Sequence, residues 1–166
     1  MLIEMKVAGI TIDPITNTPI VILKDLEEKK AIPIWIGLFE ASAIATQLEK
    51  VSFSRPMTHD LLAELLKALH AEVVRVEINE LKNNTFFADL HLLRNGEVMV
   101  IDSRPSDAIA IALRTDAPIF VEEKVIESSR NVDFASKSSD LEKLKEDKLV
   151  EFLENLSPED FGKYKM

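Results

Sequence analysis

Two short polar clusters hold most of the residues that could do chemistry in this 166-residue chain. One is Arg55-Pro56-Met57-Thr58-His59-Asp60, the other is Asp102-Ser103-Arg104-Pro105-Ser106-Asp107, and Glu40 opens an Ala-rich run of its own. All three lie where an irregular stretch passes into a helical pattern. A helix start presents unpaired N–H groups and partial positive charge, so Arg55, Arg104 and the Ser106 hydroxyl beside such starts make a phosphate site chemically sensible. Glu40, Asp102 and Asp107 supply hard oxygen ligands of the kind that hold Mg²⁺ or Mn²⁺, and His59 is suited to general acid or base work because imidazole titrates near neutrality. A purely structural reading stands beside each of these. Asp60 and Asp107 in a first helical turn stabilise the helix dipole by about 0.3–1 kcal/mol, Thr58 and Ser103 are plausible caps, and Arg55 and Arg104 can simply pair with the acids.

Composition narrows the chemistry further. The absence of cysteine removes thiolate nucleophiles, Cys zinc sites and iron–sulfur clusters, and four glycines leave no material for a glycine-rich phosphate loop or dinucleotide fingerprint. No organic cofactor is expected. His70 and His91 have no acid in a cluster with them and read as surface or packing residues, and Trp35 between Ile34 and Ile36 reads as core. The net charge of −9 repels polyanions, so a nucleic-acid ligand would need a local basic patch or a metal ion. The longest apolar run, Ala31 to Phe39, is too short to cross a membrane, which needs about 20 residues, and no basic, signal-like start is present. A cytoplasmic protein is expected.

The elements that must position these residues come in two sets. Glu40-Ala41-Ser42-Ala43-Ile44-Ala45 matches Asp107-Ala108-Ile109-Ala110-Ile111-Ala112, and each is preceded by apolar alternation of strand type, in Leu2 to Ile12 and in Leu69 to Asn79. Pro19 to Lys24 with Ala31 to Ile36, and Phe86 to Leu92 with Val98 to Ile101, complete a strand, strand, strand, helix unit in each copy. Asn95-Gly96 supplies the turn of the second hairpin. Gly37 and Arg104-Pro105 open the two helices. Between the copies Thr58 begins another helix with a stripe of Leu61, Leu62, Leu65, Leu66 and Leu69, and Glu122 to Ser128 is its shorter counterpart. The expected fold is α+β: an internally duplicated, six-stranded, mainly antiparallel or mixed sheet flanked by helices. It occupies residues 1–130, in repeats of about 1–67 and 68–130. Residues 131–166 read as a linker and a terminal amphipathic helix with Leu141, Leu144, Leu149, Phe152, Leu153 and Leu156 on one stripe. Sheet edges and that stripe make a homodimer plausible.

Three segments resemble the bifunctional nuclease domain family: Ile34-Trp35-Ile36-Gly37 with Glu40-Ala41, then Arg55-Pro56-Met57-Thr58-His59-Asp60-Leu61, then Ser103-Arg104-Pro105-Ser106-Asp107-Ala108-Ile109-Ala110. The resemblance covers about residues 1–130. It implies nuclease activity on DNA and RNA. With the residue chemistry it gives a metal-dependent phosphodiesterase in which Glu40, Asp102 and Asp107 ligate metal, Arg55, Arg104 and Ser106 bind phosphate, and His59, Asp107 and Glu40 are catalytic. The competing expectation is a binding or regulatory module in which the same clusters form an interface or an anion site.

Overall fold

The computed structural model describes residues 1–129. Seven strands, β1 (Leu2–Ile12), β2 (Pro19–Asp25), β3 (Ala31–Trp35), β4 (Glu72–Lys82), β5 (Thr85–Arg94), β6 (Glu97–Ser103) and β7 (Ile119–Glu122), form one mixed sheet in the order β3-β2-β1-β7-β4-β5-β6. Helices α1 (Leu38–Leu48), α2 (Thr58–Ala68), α3 (Pro105–Thr115) and α4 (Glu123–Ser129) complete the described chain. The α+β class holds, and both halves run strand, strand, strand, helix.

The sheet has seven strands where the sequence pattern suggested six. The additional β7 lies between the halves, antiparallel to β1 and parallel to β4, and has no counterpart in the first half. It is only four residues long, too short to show a period of its own. The second half's first strand also starts at Glu72 rather than Leu69. Leu69 ends α2, and His70 turns through a left-handed conformation (φ 56°) while Ala71 N–H bonds back to Leu66. The Asn95-Gly96 turn is as expected, with φ of 53° and 79°, and Asn83-Asn84 close the β4–β5 hairpin in the same way at 51° and 58°.

One apolar core joins the sheet to α1, α3 and α4. Leu23, Ile32, Ile44, Val76, Ile78, Ile109, Val121 and Ile126 are essentially inaccessible within it. Helix α3 is the central element: five consecutive residues, Ala108 to Ala112, are buried because it packs on β4 and β5 below and on α1 and α2 beside it. Small alanines let these backbones approach closely. Helix α2 differs, since none of its residues is fully buried. Its leucine stripe is therefore not the core face that its pattern suggests. Leu66 is partly covered, while Leu61, Leu65 and Leu69 are about half exposed. The predicted linker and terminal helix at 131–166 lie outside the described residues. No helix among the described residues is long and apolar enough to span a membrane.

Candidate functional site

The two helix starts and Glu40 meet at a cleft of about 870 Å³ between α2 and the β5–β6 hairpin, closed at one end by α1 and α3. Leu90, Leu92, Ile101 and Ile111 form its floor, Leu62 and Leu66 its α2 wall, and Glu40, His59, Arg104 and Asp107 its polar end. Local sequence explains how each polar group arrives there. Gly37 caps α1, and a side chain at that position would collide with the Glu40 carboxylate, so the glycine lets Glu40 fold back over its own helix start. Pro105 at the first position of α3 fixes the backbone where no N–H is needed, leaving Arg104 as cap residue and Asp107 in the first turn.

These side chains are coupled. Arg104 donates from Nη1 to Glu40 Oε1 at 2.9 Å and from Nε to Asp107 Oδ2 at 2.7 Å, while Asp107 Oδ1 lies 2.8 Å from His59 Nε2. Arg104 thus ties α1 to α3, and Asp107 ties α3 to α2. The Arg104 side chain is 65% exposed, whereas His59 is 12% exposed, so the guanidinium is the group that an incoming anion meets first. Burial pushes the Asp107 carboxyl up, but hydrogen bonds from Arg104 and His59 outweigh it and hold it below the usual carboxylate value. Asp107 in turn raises the Arg104 guanidinium further.

Below this set lies a second ion pair that the polar clusters did not reveal. Arg114, only 6% exposed, donates from Nε to Asp60 Oδ1 at 2.7 Å and from its two terminal nitrogens to the carbonyls of Ala110 and Ala43 at 2.9 Å. Asp60 also accepts the Met57 N–H at 3.0 Å, so Met57, not Thr58, caps α2, and Thr58 is its first helical residue. Burial raises the Asp60 carboxyl and the bonds from Arg114 and Met57 lower it by more. Asp60 is a structural acid. Arg114 was legible in principle, because Asp107, Ile111 and Arg114 at i, i+4 and i+7 share one face of α3.

Both lowered acids make stability depend on pH with one sign. A carboxyl whose folded value lies below its unfolded one stabilises the fold above the unfolded value, near 3.9, and loses that contribution as pH falls through the folded value. Urea midpoints are expected to change little from pH 7 to about pH 5 on account of these groups and to fall below about pH 4, and Asp60→Asn is expected to flatten part of that fall.

The remaining candidates sit elsewhere. Arg55 is exposed and does not line the cleft, and Ser106 is buried and does not line it either. Asp102 borders the cleft, but its strand position pairs with Asp89, whereas Ile101 and Ser103, paired with Leu90 and Ala88, occupy the core-facing positions. Side chains alternate along a strand, so Asp102 belongs to the opposite face. Among the described residues no three His, Asp or Glu side chains converge as a metal site. His91, expected as a surface or packing residue, is buried with Glu77 Oε2 3.3 Å from its Nε2, while Arg75 also bonds Glu77. His70 is exposed, and Trp35 donates to Asp13 Oδ2 at 3.0 Å.

Residues 21–133 match the model of the bifunctional nuclease domain. An uncharacterized protein of Mycobacterium tuberculosis (strain CDC 1551 / Oshkosh) is 39% identical over 167 residues, covering 95% of this chain and 97% of its own. Bifunctional nuclease 2 of Oryza sativa subsp. japonica and bifunctional nuclease 1 of Arabidopsis thaliana are 31% and 30% identical over 93 residues, which is 54% of this chain and 29% of each plant protein.

Proposed function

We propose, from the fact that the chain belongs to the bifunctional nuclease domain family, that it is a nuclease-like phosphodiesterase acting on DNA and RNA at the cleft between α2 and β6. The observation that carries this reading is the coupling of His59, Asp107, Arg104 and Glu40 across three helices at a solvent-open cleft. With its proton on Nε2, His59 donates to Asp107 Oδ1, which orients the ring and leaves Nδ1 as its other proton-transfer atom. In that state Nδ1 can accept a proton from an attacking water or ribose 2′-hydroxyl, and the protonated ring can return one to the leaving oxygen. Arg104, held in place by both carboxylates, offers its remaining N–H groups to the phosphate oxygens where charge develops. The apolar floor and wall give a base or sugar a surface to lie on.

Charge bears on the metal question. One guanidinium and two carboxylates sum to −1, which opposes an anionic ester, and Mg²⁺ or Mn²⁺ would offset it. The acids as held do not fit an ion, because Glu40 and Asp107 are both engaged by Arg104 and Asp102 belongs to the other sheet face. No step above therefore runs through a metal. Metal dependence requires the ion to take a carboxylate from Arg104. The expectation that follows is that Mn²⁺ raises the thermal midpoint more in Arg104→Gln than in the native chain, since a competitor has been removed; equal shifts or none would dismiss metal binding at these acids.

The reading itself is tested with purified protein on single- and double-stranded DNA and RNA, with Mg²⁺, with Mn²⁺ and with chelator. Cleavage in at least one condition that disappears in His59→Ala supports it. Intact substrates throughout, or activity that survives the substitution, reject it. The acids' internal pairing favours the second reading, a non-catalytic anion-binding or regulatory module, which predicts binding without turnover and a large loss of stability in Asp107→Asn.

A further inference from the structure

The two edges of the sheet are unlike. At β3, Pro33 stands in the strand, where a proline is accommodated only with its missing N–H turned outward, and Lys30 at the strand's start is bridged to Glu123 of α4 at 2.8 Å. At β6 nothing of the kind occurs. Val98, Met99, Val100 and Ile101 run consecutively, each 40–60% exposed, with no proline, lysine or bulge, and the strand pairs with β5 in unbroken register. An unprotected apolar edge of this kind is what soluble proteins ordinarily avoid unless something covers it.

Helix α2 runs beside that edge. Its first turn is fixed next to the end of β6 by His59 and Asp107, and its last by Arg94, beside the start of β6, donating to the Leu69 carbonyl at 3.0 Å. The exposed leucines Leu61, Leu65 and Leu69, spaced i, i+4 and i+8, share one face of this helix and give it an uncovered apolar stripe of its own.

We propose that β6 and α2 form the interface between two copies of this chain related by a twofold axis, β6 pairing antiparallel with the partner's β6 and the α2 stripe packing antiparallel on the partner's α2. Unpaired strand N–H and C=O groups are best satisfied by another strand, which favours a second copy's β6 over a helical stripe as the occupant of the edge. The edge is also self-complementary. With Val100 on the axis, Met99 lies opposite the partner's Ile101, Val98 opposite the partner's Asp102, and Glu97 opposite the partner's Ser103, so no two acids face each other. In the helical layer an antiparallel crossing at Leu65 brings exposed Glu64 beside the partner's Lys67, and the symmetry repeats that pair. Two layers joined by one axis make an isologous, closed contact.

Sedimentation of the full chain tests this. A dimer is expected, with Val100→Lys and Leu65→Lys each weakening association by about a hundredfold or more while keeping the native far-UV circular dichroism. Because the chain has no cysteine, Leu65→Cys is a clean probe, and mild oxidation is expected to yield a covalent dimer. A native chain that stays monomeric at every concentration, a dimer that survives both lysine substitutions, or one that dissociates only on Leu149→Lys and Leu153→Lys overturns the proposal. So does a Leu65→Cys dimer that fails to cross-link.

Discussion

Replacing His59 with alanine is expected to lower nucleolytic turnover by about 10²–10⁴-fold, the usual effect of removing a positioned general acid or base. The thermal midpoint should move little. Among the described residues the His59 side chain bonds Asp107, and a hydrogen bond of this kind is worth about 1 kcal/mol net, more where a charged partner is involved. Asp107→Asn is expected to cost a similar factor in turnover, because it weakens the hold on both the ring and Arg104. Residues that act as a unit are not additive, so the double variant should lose no more than the worse single one. Single-turnover rates on a labelled oligonucleotide check all three, and a double variant showing the product of the two losses would separate His59 from Asp107.

The largest stability effect is expected at Arg114. Its guanidinium joins α3 to the Asp60 carboxylate of α2 and to the Ala43 carbonyl of α1, with only 6% of the side chain exposed. Truncation to alanine removes the charged donor from Asp60 Oδ1, leaving the carboxylate only the Met57 N–H, and takes a second donor from the Ala110 and Ala43 carbonyls. Breaking a buried pair in this way costs about 3–5 kcal/mol, and since a third of Asp60 reaches solvent the lower end of that range, about 3 kcal/mol, is expected. Helix α2 buries no residue completely, so it relies on this pair more than its neighbours do. The urea midpoint should fall, and amide exchange should rise first in residues 58–68. A loss spread evenly over all helices would show that the pair does not anchor α2.

How much of this was readable beforehand depends on the range of the forces involved. Helix starts at Gly37 and Pro105 and the Asn95-Gly96 turn are set by backbone constraints acting over two or three residues, and they appear where the residues suggest. Leu69 satisfies strand alternation and the helical stripe equally well, and the left-handed turn at His70 decides for the helix, so β4 begins only at Glu72. The four residues of β7 carry no period and become a strand only because β1 and β4 lie on either side. At the site, Glu40, His59, Arg104 and Asp107 converge, an outcome consistent with the family resemblance, whereas their pairwise partners follow from tertiary packing. Asp102 stood in a polar cluster, yet the register of β6 against β5 determines its face. Arg114 stands in the last turn of α3, outside both polar clusters. Its burial beneath α1 and α2 makes it an anchor.

Pro33 has one more effect, on how far any assembly can grow. A protein whose sheet is open on both borders can add copies indefinitely and form filaments, because every addition exposes a fresh border like the one just covered. Here the β3 border lacks an outward donor at Pro33 and is flanked by α4, so recruitment at the β6 border leaves nothing receptive at either far end. Four adjoining apolar residues on an edge strand would otherwise invite open-ended growth, and under the proposed pairing Pro33 limits the assembly to two copies.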